Sequence, residues 1–500
     1  MKILSQLHSK SLAAVLMGLI LPSFPVIAQD TSNVTDLQRI IELQQKQLEA
    51  QQRQLDEQRQ LLKDLQTRVK SLGSEKIPAE AVETTTDEAP TQKQSVTADE
   101  APPQKQPVAA VKPRPRKSAG IAQAEKRDSE SPTGSNVSYF DPRKTINIPG
   151  TDTDISIHGF VEFQMIHDSD GLDNNRFDTA TIPVDGAPSQ TKFSVNPSQL
   201  RIASHTPVTQ GRANTVLSID FNDSVDRPEP RLRIAYGEYV NDEHGYGVLA
   251  GQTYSTMLDL RAAPETLDFA GPAGMWQTRQ PLFRFTWALS EGFITEVSIE
   301  TPENANYINA TRQTRWPDFS VAGTWTVNGE YLKHFRLSAL ARDLRAESDI
   351  GVEDSEPGWA VAGSAKFGLP ILGEKDNLKI NMHYGDGYGT QIKGGPREGV
   401  FDPAGTDLET IEFYGAYGGI QHFWSDMIRS NLVYGFVDAD NPDFVSGDTF
   451  ESTQYFAIDL IWNPFERTEV GAEYLWGELE EENGADGDAN RFLLHFKNGF

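Results

Sequence analysis

RFLLHFKNGF, residues 491–500, sets Phe492, Leu494, Phe496 and the terminal Phe500 on one alternating face and Arg491, His495 and Lys497 on the other. A period of two with one aromatic face and one charged face is what a strand needs when lipid lies on one side and a wet lumen on the other. The terminal Phe also resembles the signal read by the outer-membrane insertion machinery. An edge strand of a soluble sheet would alternate in the same way, so the rest of the chain has to decide between them.

The first residues set the compartment. Lys2 and Lys10 precede the apolar run SLAAVLMGLIL (11–21), and Val26, Ile27 and Ala28 supply the small residues of a cleavage site, so residues 1–28 read as a secretory signal peptide. Cysteine is absent, which excludes a disulfide framework and any thiolate metal site. No later run approaches a transmembrane helix, so a membrane-spanning fold must be a closed barrel. The formal net charge of −27 with 38% hydrophobic residues agrees with a barrel, where every second strand residue faces water. It argues against nucleic acid as a partner, because a phosphate-binding surface needs excess Lys and Arg.

Residues 34–72 carry a heptad repeat. Val34, Ile41, Leu48, Leu55, Leu62 and Val69 form one seam, and Leu37, Gln44, Gln51, Gln58, Leu65 and Leu72 form the other. This predicts a periplasmic coiled coil of about 60 Å at 1.5 Å per residue, and stacked core Gln favour a homotrimer. Residues 73–137 form a Pro/Ala/Thr/Glu-rich linker containing a duplication, TTDEAPTQKQSV (85–96) then TADEAPPQKQPV (97–108). Without aromatics or periodic apolar residues it cannot bury a core and reads as a disordered spacer. The basic KPRPRK (112–117) reads as part of the tether, with peptidoglycan or anionic lipid as candidate contacts.

From about residue 150 to residue 500 the chain alternates in about 16 segments, beginning with ISIHGFVEFQMI (155–166) and including RLRIAY (231–236), LFRFTW (282–287) and IRSNLVYGF (428–436). Short connectors such as SEG (290–292), NGE (328–330) and SD (425–426) take turns with long polar stretches near 167–197, 302–317, 343–357, 391–407 and 439–452. That rhythm predicts an all-β fold: a 16-stranded antiparallel transmembrane β-barrel in a Gram-negative outer membrane, in contact with its lipid and lipopolysaccharide. An even strand count puts both barrel ends, and the coiled coil, in the periplasm.

The connector 257–280, MLDLRAAPETLDFAGPAGMWQTRQ, is less charged than the others and rich in apolar residues. Exposed outside, Met257, Leu260, Leu267, Phe269, Met275 and Trp276 would form an apolar patch, so the loop is expected to fold into the lumen and narrow it. Parity then sends Arg201, Arg231, Arg233, Arg284, Arg336, Lys379 and Arg429 inward, because an Arg on the lipid face costs roughly 2–4 kcal/mol at the midplane. Arg279 joins them at the end of the loop. Glu162, Asp220, Glu296, Glu300, Glu412 and Asp459 are placed inward by the same count, with Asp259 and Glu265 as acidic counterparts on the loop.

The run 230–287, with SQLRIASHTPV (198–208) before it, resembles the DcaP-like outer-membrane porin family; LAGQTYST and PETLDFAGP followed by RQ are its longest motifs. The resemblance implies a homotrimeric passive channel for small anionic solutes such as dicarboxylates. An enzyme is not expected, since no G-x-S-x-G occurs and the His residues are scattered. DSDGLDNN (168–175) has its Gly at the wrong offset for a calcium loop, so neither a metal nor a cofactor is expected. The alternative is a structural envelope protein, the barrel anchoring a coiled-coil tether to the cell wall.

Overall fold

The computed structural model describes residues 145–500 apart from 170, 171, 173–175, 223–226, 303, 304 and 328. The expected signal peptide, coiled coil, duplicated spacer and basic tether lie outside the described residues.

Sixteen antiparallel strands close on themselves. They are β1 Asp154–Asp168, β2 in two stretches (Gln190–Ser194 and Gln199–Val208), β3 Gly211–Asp220, β4 Arg231–Asn241, β5 Tyr246–Tyr254, β6 Arg279–Ser290, β7 Phe293–Glu300 and β8 Asp318–Thr326. The ring continues with β9 Leu332–Ser348, β10 Glu353–Gly368, β11 Asn377–Asp386, β12 Glu412–Phe423, β13 Ile428–Asp440, β14 Phe450–Phe465, β15 Thr468–Glu481 and β16 Asp486–Gly499. Each pairs with the next, and β16 returns to β1 from Phe160 opposite Gly499 to Asp168 opposite Arg491. Closure leaves no unpaired edge, the condition for a sheet to sit in hydrocarbon.

Alternation fixes the register. In β6, Phe283, Phe285 and Trp287 are exposed while Leu282, Arg284 and Thr286 are buried; in β16, Phe492, Leu494 and Phe496 face out while Arg491 and His495 are buried. A slip of one residue would carry these basic side chains to the lipid face, so the pattern specifies one pairing.

Two expectations change. The stretch 343–357 is not a long loop: β9 and β10 run through it and meet in a turn at 349–352. Leu344 and Ala346 keep the inward alternation, being almost fully buried, while Arg315–Asp343 and Arg345–Glu353 ion pairs lie on the outer side. Past the apolar band the outward face no longer needs to be apolar, which makes a tall hairpin read as a polar loop. Glu412, expected in the lumen, shares the outward face of Tyr414 and accepts a hydrogen bond of 2.6 Å from the exposed Tyr384 hydroxyl. It too lies at a strand end, where an outward carboxylate escapes the hydrocarbon.

Candidate functional site: a constricted lumen

The connector between β5 and β6, residues 255–278, lies inside the barrel, because inward-facing side chains of strands all around the wall hold it. Near its start, Arg336 donates to the Thr256 carbonyl at 2.6 Å and pairs with Glu296, while Arg284 Nε donates to Thr256 Oγ1 at 2.8 Å. Further on, Asp259 accepts from His334 Nε2 at 2.6 Å and from Ser364. Lys379 Nζ donates to the Ala263 carbonyl at 3.0 Å, and Glu265 meets Arg429 at 2.6 Å. At the far side, Glu473 accepts the backbone N–H groups of Leu267 (3.0 Å) and Asp268 (2.6 Å). These bonds satisfy an irregular backbone that water cannot freely reach. Met257, Leu267 and Trp276 are buried, so the apolar residues are hidden by inward folding.

Burial alone would raise the Asp259 carboxyl. The His334 hydrogen bond and charge, Arg336 and the Ser364 hydroxyl outweigh it, holding the group at about 2.

A second connector, 387–411, also turns inward. Its backbone pairs with the constriction loop: Gly274 N–H donates to the Lys393 carbonyl at 2.8 Å and Lys393 N–H to the Met275 carbonyl at 2.9 Å. The Trp276 and Tyr388 rings stack at 5.3 Å. The Lys393 ammonium, almost fully buried, donates to the Gly271 carbonyl at 2.7 Å and to the Phe177 carbonyl, with Asp268 at 3.6 Å. One lysine thereby ties together the connectors after β1, β5 and β11. Sequence reasoning missed it: 391–407 is polar, and nothing in its pattern marks Lys393 as buried.

Between loop and wall remains a cavity of about 380 Å³. Arg231, Arg233 and Arg279 line it together with Glu265, Glu162, Glu469, His495 and Lys497. Arg231 and Arg233 both bond to Asp220, at 2.8 and 2.7 Å. One carboxylate serving two guanidiniums leaves the wall net positive. Arg233 lies over the Phe269 ring at 5.0 Å and Arg279 over Tyr254 at 5.5 Å, while Arg233 Nη2 donates to the Tyr254 hydroxyl at 2.9 Å. Aromatic faces thus brace the guanidiniums. Arg201 lies on the adjoining strand, donating to Gln199 at 2.7 Å. On the other side His495 sits between Glu162 (3.3 Å) and Glu469 (3.2 Å).

Of the eight residues singled out from sequence, Arg231, Arg233, Glu265 and Arg279 border the cavity and Arg201 adjoins that wall. Arg284 and Arg336 instead lie on the wall behind the loop, and Asp259 points from the loop back to that wall; all three anchor the loop, each less than a tenth exposed. Tyr254 was not found, and Phe269, expected in the lumen as part of the apolar loop, was not foreseen as a partner of Arg233. Strict alternation would point Tyr254 outward, but it ends β5 where the chain bends inward. Among the described residues no group of His, Asp and Glu is arranged to hold a metal ion.

The sequence profile of the DcaP outer membrane protein family matches residues 139–500. The chain belongs to that family. Among solved structures, the outer membrane channel DcaP of Acinetobacter baumannii superposes with a TM-score of 0.63 at 22% identity, over 71% of this chain and 100% of that one. The anion-selective porin from Comamonas acidovorans gives 0.47 at 12%, over 70% and 100%. The in-vitro folded OmpT of Vibrio cholerae in its trimer form gives 0.47 at 10%, over 70% and 99%. No curated protein matches the chain. Membership in that family makes this an outer membrane protein, and the Acinetobacter baumannii structure has the same overall fold; in this chain that fold is a closed wall around a loop-narrowed lumen, an arrangement that points to passage rather than catalysis.

Proposed function

We propose that this DcaP-family barrel is a porin admitting small hydrophilic anions, dicarboxylate-like in size and charge, by passive diffusion. The observation that carries the reading is the guanidinium wall: Arg231 and Arg233 share one Asp220, and Arg279 adds a further charge beside them. A positive wall facing Glu162 and Glu469 makes a transverse field that orients a polar solute and favours an anion without binding it tightly. The barrel acts as a homotrimer, its heptad repeat at 34–72 lying in the periplasm, near peptidoglycan, and its outer face against lipid and lipopolysaccharide.

Planar-bilayer recording of the purified protein in a salt gradient tests this. Ohmic channels with an anion-selective reversal potential are expected. A cation-selective reversal potential would refute the anion reading alone. Absence of ohmic channels would refute passage itself and leave the barrel as an envelope anchor.

A further inference from the structure

His495 borders the cavity and is almost fully buried. In register it stands between Gln164 of β1 and Gly471 of β15, and one inward level away Lys497 stands between Glu162 and Glu469. Both carboxylates reach diagonally to the imidazole, Nδ1 lying 3.3 Å from Glu162 and Nε2 3.2 Å from Glu469. A neutral imidazole has one N–H and one lone pair, so it can donate to only one of them. The imidazolium donates to both. The geometry therefore suits the charged ring, on the type of side chain whose ordinary titration falls between about pH 5 and 8.

The charged groups around the ring come from four strands and the constriction loop. β1 supplies Glu162, which also accepts from Gln164 at 2.8 Å, and β15 supplies Glu469. β13 supplies Arg429, bonded to Glu469 at 2.7 Å and to Glu265 of the loop at 2.6 Å. β16 itself adds Lys497, 4.0 Å from Glu469 with its ammonium over the Phe160 ring. Behind the loop, Glu473 of β15 is taken up by the Leu267 and Asp268 N–H groups and Asp459 of β14 by Asn431. Asp268, also on the cavity, is matched by Lys393. Leu267 packs over Gly471, where a Cβ would come within 2.6 Å of its side chain, so loop and wall close around the imidazole.

Among the described residues, this network sets the carboxylates Glu162, Glu265 and Glu469 against two permanent cations, Arg429 and Lys497. One negative charge is left over when His495 is neutral and none when it is protonated. Across the cavity Arg231, Arg233 and Arg279 stand against Asp220 alone, and guanidiniums keep their charge. Arg429 is what a purely bracing residue looks like here, a permanent cation between two carboxylates. At position 495 the brace is a group that titrates.

We infer that His495 is a specificity-determining residue of the lumen: its proton sets the charge of the wall facing the arginines, so the preference for anions is strongest with the ring charged and weakens as pH rises. The inference rests on the porin reading and adds to it a residue and a direction. Removing one positive charge from a narrow lumen should lower the anion-over-cation permeability ratio roughly threefold at low salt and much less at high salt.

The test is the reversal potential of the full-length protein in planar bilayers, in a low-salt KCl gradient, from about pH 5 to pH 9. Asp259, at about 2, is fully charged across that range. The wild-type ratio should fall about threefold. His495→Gln, which still donates to one carboxylate, should give a flat profile at the wild-type high-pH value, with the heat-dependent gel shift reporting an intact barrel. A flat wild-type profile overturns the inference without any variant, and so does a His495→Gln pore that follows pH as wild type does. An anion-selective wild type with a flat profile leaves the porin proposal standing. A cation-selective wild type whose ratio still falls with pH through His495 sinks the anion reading and keeps the residue's role.

Discussion

Replacing Asp259 by Asn removes a buried charge that pins the constriction loop, and its size can be worked from the structure. The docked carboxyl sits at about 2 against an ordinary 3.8: burial opposes the charge, but His334, Arg336 and Ser364 overcompensate. At 1.36 kcal/mol per pKa unit this difference stabilises the docked segment by about 2 kcal/mol near neutral pH, a factor of roughly 60 in its local docking equilibrium. Because the docked value is the depressed one, the contribution is complete above about 4 and is lost as pH falls through about 2. Glu265, Glu473, Arg284 and Arg336 still hold the loop, so the expected result is local opening rather than collapse. Single-channel records should show wild type quiet at neutral pH with open-channel noise rising between about pH 4 and pH 2. Asp259→Asn should be noisy already at neutral pH, and its noise should lack that acid-dependent rise. A variant as quiet as wild type at neutral pH would refute the idea that Asp259 is an anchor.

Neutralising the wall with Arg231→Gln and Arg233→Gln together should cut the anion-over-cation permeability ratio several-fold at low salt and much less at high salt, where screening hides the wall charge; reversal potentials report it. Lys393→Met leaves the Gly271 and Phe177 carbonyls and Asp268 without their shared cation, so it should cost about 3 kcal/mol and lower the temperature of the heat-dependent gel shift. An unchanged transition would mean that the three connectors do not depend on that lysine. Deleting residues 34–72 should lower the heat resistance of the oligomer on a gel, and an unaltered oligomer would assign assembly to the barrel face alone.

Much of this arrangement was readable because a barrel strand has only two faces. RFLLHFKNGF predicts Phe492, Leu494 and Phe496 outward and Arg491 and His495 inward, and the same count places Arg231, Arg233, Arg284 and Arg336 on the lumen side. It also fails for identifiable reasons. Glu412 and the stretch 343–357 lie beyond the apolar band, where outward residues are polar and the contrast between faces vanishes. Tyr254 escapes because its strand ends in a bend.

The sequence by itself determined that the wall is a membrane barrel, which way the strands face within the apolar band, and that 257–280 belongs in the lumen, since hydrocarbon outside and water inside impose a period of two that local sequence must obey there. Only the tertiary structure decided which inward arginines meet the cavity and which brace the loop: Arg231 and Arg336 share parity, but one borders open space and the other lies behind Thr256. Folded connectors obey no period. The way Lys393 ties three of them together depends on segments far apart in the chain whose distances no local pattern encodes.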